Sequence, residues 1–152
     1  MVRPGGAGTT CMSGNRSFVD TNILVYAHDE TAGEKHHRAR FLLAELWESG
    51  DGCLSVQVLQ EFFVTVTRKV PKPLDALSAA AIIADLSHWR VHSPGSEDVL
   101  NAIDSHRRYD ISFWDAMIIC SAASLGCATL FSEDLNAEQR YDGVRVHNPL
   151  RA

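Results

Sequence analysis

The chain has 152 residues, 45% of them hydrophobic and 22% charged, which suits one domain with a sizeable core and excludes a disordered chain. The formal net charge of −5 excludes a protein that holds nucleic acid by global attraction. It leaves room for a nuclease, because acidic cation ligands lower the net charge and a bound cation offsets them locally. No apolar run is long enough to cross a bilayer, and no signal-like stretch precedes a cleavage site, so a cytoplasmic protein with no membrane contact is expected.

Residues 1–16 are rich in Gly, Ser and Thr without periodicity, and read as a disordered tail ahead of a folded domain over 17–152. Gly5, Gly6 and Gly8 are not a phosphate loop, since no strand precedes them and no Gly-Lys-Ser/Thr follows. Ser17-Phe18-Val19 reads as a buried strand ending at Asp20, and Thr21 to Ala27 as a short helix. Residues 34–49 form an amphipathic helix with Ala39, Leu42, Leu43, Leu46 and Trp47 inward, Phe41 outward, and His36-His37 at the surface. After a turn at 50–52, Cys53-Leu54-Ser55 ends a strand. Residues 56–69 are helical with Val58, Leu59, Phe62, Phe63 and Val66 inward, until Pro71-Lys72-Pro73 breaks the pattern. An Ala-rich helix over 75–88, a strand around Val91, and a helix over 96–108 with Val99, Leu100 and Ile103 inward come next. A helix then opens at Ser112 and stops at Gly126; Ala128 to Ser132 is a buried strand, Asp142-Gly143 a turn, and Val144-Arg145-Val146 a last strand. Short apolar strands alternating with helices predict an α/β fold, with a mostly parallel sheet between helix layers. The four cysteines form no Cys-x-x-Cys pair, and three of them lie in apolar contexts as small core residues.

The acids carry the chemistry. Asp115 lies on the same face as Ile118, Ile119 and Ala122 of an almost wholly apolar helix, where a charge is costly unless capped, paired or bound to a metal. With Ser112 as N-cap, Asp115 stands at N3 of a capping box, so a cap alone could explain it. Asp20 closes the first strand and Asp134 follows a later one, and strand carboxyl ends are where open α/β sheets bind ligands. Each could instead be a helix cap or a turn residue. Glu61 falls away from its helix's apolar stripe, beside Gln57, Thr65 and Arg68, and by spacing alone is a solvated residue. Carboxylates at one rim suit Mg²⁺ or Mn²⁺, which can polarise a phosphate oxygen and activate water for phosphodiester hydrolysis. Rival constellations are poor. His88 and His92 straddle a helix end, no Gly-x-Ser-x-Gly elbow is present, and a dehalogenase-type phosphatase needs a second aspartate where the chain has Asn22. The basic groups Arg38 with Arg40, Arg68-Lys69 with Lys72, and Arg107-Arg108 could line a path for a phosphate backbone.

Four segments in order, Phe18-Val19-Asp20-Thr21-Asn22, Gln60-Glu61-Phe62, Ser112-Phe113-Trp114-Asp115-Ala116 and Phe131-Ser132-Glu133-Asp134, resemble the PIN domain family, in particular its VapC-type toxins. The resemblance implies a three-layer α/β sandwich and a metal-dependent ribonuclease with Asp20, Glu61, Asp115 and Asp134 as its acidic quartet and Mg²⁺ or Mn²⁺ as cofactor. Glu61 enters on this ground alone. Asn22 and Ser132 match polar positions that arrange the acids and water, while Glu133 is expected to face solvent. The resemblance further implies an RNA substrate, a cognate antitoxin protein and a homodimer. A housekeeping PIN nuclease without an antitoxin, and a scaffold whose acids are only caps, are the alternatives.

Overall fold

The first strand lies at the centre of the sheet. In a computed structural model of the chain, which describes residues 15–151, the strands are β1 (Ser17–Val19), β2 (Gly52–Ser55), β3 (Arg90–His92), β4 (Thr129–Phe131), β5 (Arg140–Tyr141) and β6 (Val144–His147). The tail expected over residues 1–16 lies outside the described residues except for Asn15 and Arg16. Arg16 joins the fold: its guanidinium donates to the Leu125 carbonyl at 2.9 Å.

The sheet order is β3-β2-β1-β4-β6-β5, with every pair parallel except β5 and β6. Phe18 stands opposite Cys53 on one side and Leu130 on the other. Phe18 and Val19 point to opposite faces and both are fully buried, so helices cover both faces. The chain builds outward from β1 through β2 to β3, then returns to the far side of β1 with β4. The order therefore reverses between β1 and β4, and a crevice opens there at the carboxyl ends of the strands.

Six helices connect these strands among the described residues: α1 (Thr21–Ala27), α2 (Glu34–Ser49), α3 (Val56–Arg68), α4 (Ala76–Leu86), α5 (Ser96–Tyr109) and α6 (Phe113–Ser124). Asp20, Ser55, Asp75 and Ser112 cap α1, α3, α4 and α6 through side-chain oxygens that accept backbone N–H groups. Helices α1 to α4 pack on one another, whereas α5 packs on α6 and α6 on β2, β4 and β6. Seven consecutive residues of α6, Ala116 to Ala122, are buried, because it is covered by the sheet on one side and by α5 on the other. No helix among the described residues is long and apolar enough to cross a membrane.

Several sequence expectations need correction. Val99, Leu100 and Ile103 of α5 do not point inward; they are exposed, and Leu100 is 65% exposed. The buried residues of this helix are Ala102 and Ser105, whose small side chains let α5 lie close on α6. Phe63 and Trp47 lie at the edges of their stripes and are also exposed, Trp47 with its ring edge-on to Trp89. His36 is buried rather than at the surface, with its ring Nδ1 at 2.9 Å from the Tyr26 carbonyl. The two-residue β5 was not foreseen, being too short to show a period.

Gly52 of β2 faces the indole of Trp89, and a Cβ built there would meet ring carbons at 2.5 to 2.8 Å. Overpacking of this kind costs about 1–3 kcal/mol, so Gly52→Ala should lower the melting temperature by several degrees in a circular-dichroism melt. An unchanged melt would show that Trp89 swings aside freely.

Candidate functional site

Asp20 follows β1 directly, and both of its oxygens are engaged. Oδ1 accepts the Thr21 N–H at 2.7 Å as the cap of α1, and Oδ2 accepts the Ser132 hydroxyl at 2.7 Å. The Asp20 N–H donates to the Phe131 carbonyl at 3.0 Å, tying the ends of β1 and β4 together. Fully buried Ser132 serves both strand exits, because its Oγ also accepts the Asp134 N–H at 3.1 Å. Asp134 itself is exposed at the rim, just past β4. Asp115 is half-buried in the first turn of α6, and its N–H donates to the Ser112 hydroxyl at 3.0 Å, as the capping reading requires.

Glu61 corrects the periodicity reading. It is not on a solvated face but half-buried on α3 against α1. Its Oε1 accepts the Thr21 hydroxyl at 2.7 Å, and its Oε2 accepts the Gln57 amide at 3.2 Å. The same Gln57 amide, on a buried side chain, donates to the Trp114 carbonyl at 3.3 Å. Hydrogen bonds thus lead from Asp134 through Ser132, Asp20, Thr21, Glu61 and Gln57 to the residue preceding Asp115. Thr21 and Gln57 are the positioning residues that sequence reasoning missed. The signal for Gln57 is its i, i+4 spacing from Glu61, the separation at which side chains meet on a helix. Glu133 points away from this group. It is not free in solvent as expected but accepts from the Tyr26 hydroxyl at 2.8 Å and from Lys35 Nζ at 2.5 Å.

Electrostatics couple the acids. Burial pushes the Asp20 carboxyl up to about 7; the Ser132 hydroxyl and Thr21 N–H oppose this, while the charges of Asp134 and Asp115 add to it. Asp115 is likewise raised, first by burial, with the Ser112 hydroxyl opposing and Asp134 and Glu61 adding. A cation at the rim would relieve both. Two further features bear on the fit. Both amide atoms of Asn22 and the Oε1 of Gln57 are buried without a hydrogen-bond partner, the condition of groups that serve water or an ion. On the other side, no three His, Cys, Asp or Glu side chains among the described residues stand close enough to enclose a metal ion. A fully chelated cation is therefore not enclosed by these side chains alone; a cation that keeps several waters would need only one or two direct carboxylates.

A PIN domain family model matches residues 17–142. Among solved structures, FitAB bound to a DNA fragment is similar with a TM-score of 0.67 at 17% identity, covering 90% of this chain and 96% of that one. VapBC of Salmonella typhimurium, also bound to DNA, has a TM-score of 0.61 at 18% identity, covering 88% and 98%. VapC20 of Mycobacterium tuberculosis, a Sarcin-Ricin loop cleaving toxin, has a TM-score of 0.59 at 21% identity, covering 78% and 89%. No curated protein matches the chain at a significant level.

The raised Asp20 carboxyl sets a pH dependence. Folded, it holds its proton up to about 7, whereas unfolded it releases it near the ordinary value of 3.8. Its stabilising contribution is therefore complete below 3.8, declines as pH rises, and is lost above about 7. The metal-free protein should melt at a higher temperature near about pH 5 than near about pH 8, and Mn²⁺ should raise the melting temperature more at the higher pH. Differential scanning fluorimetry across pH, with EDTA or Mn²⁺, checks both; equal melts at the two pH values would contradict the burial of Asp20.

Proposed function

Because the chain belongs to the PIN domain family, we propose that it is a metal-dependent endoribonuclease and the toxin of a cytoplasmic toxin–antitoxin pair. The observation that carries this reading is Asp20, held at the crevice between β1 and β4 by Thr21 and Ser132 and sharing its field with Asp115 and Asp134. The likeness to VapC20, a Sarcin-Ricin loop cleaving toxin, supports the reaction class. The likeness to VapBC and FitAB supports an antitoxin partner.

In this reading Asp20, Asp115 and Asp134 hold Mg²⁺ or Mn²⁺, directly or through water. When bound, the cation lowers the pKa of a water and stabilises charge on the scissile phosphate. Ser132 fixes the Asp20 carboxylate toward the crevice, and the Ser112 cap fixes the backbone of Asp115. Glu61, anchored by Thr21 and Gln57, orients the attacking water and draws its proton. Attack of that water on phosphorus with the P–O3′ bond breaking, O3′ taking up a proton as it leaves, yields a 5′-phosphate and a 3′-hydroxyl. Arg68 stands seven residues beyond Glu61 on α3, about 10 Å along one face, and with Lys69 and Lys72 forms a basic end for the substrate's backbone. The exposed stripe Val99, Leu100 and Ile103 of α5 is the surface offered to the second copy of a homodimer.

Asp115→Asn should stay folded and lose RNA cleavage by about 100-fold or more in Mg²⁺, the scale on which transition-state charge stabilisation acts. It should also lose any growth arrest on expression. A folded variant with full activity would leave Asp115 as a cap only. For the dimer, Leu100→Glu should shift sedimentation from dimer to monomer, and a wild type that sediments as a monomer at micromolar concentration would exclude it.

A further inference from the structure

Trp114, the residue before Asp115, is 61% exposed. Burying a tryptophan is strongly favourable, and no packing requirement places this one outside. The small core between α5 and α6 is closed by Phe113 and Ile111 without it. Its backbone is fixed: the Trp114 carbonyl accepts the Gln57 amide at 3.3 Å in the capped first turn of α6, and the Phe113 ring stands edge-on to the indole at 5.0 Å and 75°. Trp114 and Asp115 share the first turn of α6, about 100° apart and about 1.5 Å along the axis, and the Gln57 amide that meets the Trp114 carbonyl also meets Glu61, so Trp114 adjoins two of the acids without covering them. The other exposed aromatics differ in place: Phe41 stands on α2, Phe63 on α3 at the edge of its apolar stripe, and Trp47 has its ring edge-on to Trp89.

We propose that Trp114 is the stacking platform for an unpaired base of single-stranded RNA whose adjoining phosphate lies over the acidic group. The inference rests on the nuclease reading above and adds to it how the substrate is held. The basic end at Arg68, Lys69 and Lys72 draws the backbone to one side of the site, while the carboxylates at the rim repel it, so a contact that does not depend on charge adds affinity at the rim itself. Stacking on an exposed π-face is such a contact, and any base can make it. Bases in a duplex are already stacked on both faces and do not offer one, so the platform selects loops and single strands.

The test uses the full chain and a short mixed-sequence oligoribonucleotide, single-stranded or annealed to its complement. With Ca²⁺ in place of Mg²⁺, the single strand should quench tryptophan fluorescence in the wild type and leave Trp114→Phe, which keeps Trp47 and Trp89, unquenched. In Mg²⁺, Trp114→Ala should raise KM about tenfold with a smaller change in kcat and lose its preference for single strand over duplex, while Trp114→Phe restores most of both. The melting temperature and its rise on adding Mn²⁺ should match the wild type in both variants. Quenching that persists in Trp114→Phe, or a Trp114→Ala variant with wild-type KM and strand preference, overturns the platform and leaves the nuclease reading standing. A wild type that cleaves no RNA removes the nuclease reading, and the quenching comparison then decides the platform alone.

Discussion

The carboxylate of Asp20 is asked to do two things that conflict. It is 5% exposed, and it lies at the crevice between β1 and β4, where the strand order reverses. Burial disfavours its charge, but the Thr21 N–H and the Ser132 hydroxyl each favour it. The balance leaves a group close to its midpoint near neutral pH, sensitive to any charge that arrives. The surrounding polar residues follow from this. Ser132 must be buried to reach Asp20, Thr21 must open a helix there, and that helix brings the Thr21 hydroxyl to Glu61.

The same constraint explains why α6 carries its charge at the first turn and nowhere else. Its next seven residues are buried, so only the N-terminal turn can present a carboxylate to the rim. The helix dipole favours an anion at that end, and Ser112 supplies the cap. Capping and ligation are therefore complementary at Asp115. The backbone N–H serves the cap, while the raised carboxyl marks how little else stabilises its charge.

How much of this could be read in the chain depended on which residues carried a period. Strand exits at Asp20 and Asp134 are legible because an apolar run ends at each, and α2 because its stripe is unbroken. Glu61 was not, since hydrophobic periodicity assigns every polar residue to solvent and cannot see that Thr21 of α1 meets Glu61 and that the Trp114 carbonyl of α6 meets Gln57. The α5 stripe failed for the opposite reason. Apolar residues mark a buried face only when their partner is the core of the same chain, and here the close contact with α6 goes to Ala102 and Ser105. The strand order, and with it the crevice between β1 and β4, depends on pairings across the whole chain that no local pattern encodes.

The bond between Ser132 and Asp20 spans 112 residues. Long-range contacts form only after the intervening chain has collapsed around them, because the loop entropy must be overcome before the contact rewards it. On a ribosome, β1, β2 and β3 with their helices emerge well before β4, and until β4 pairs with β1 the Asp20 side chain has no hydroxyl to hold it and no neighbour at Asp134. The acidic rim therefore matures late in synthesis. A nascent or prematurely ended chain carries the first acid, the α3 glutamate and even the α6 aspartate, but not the arrangement that relates them.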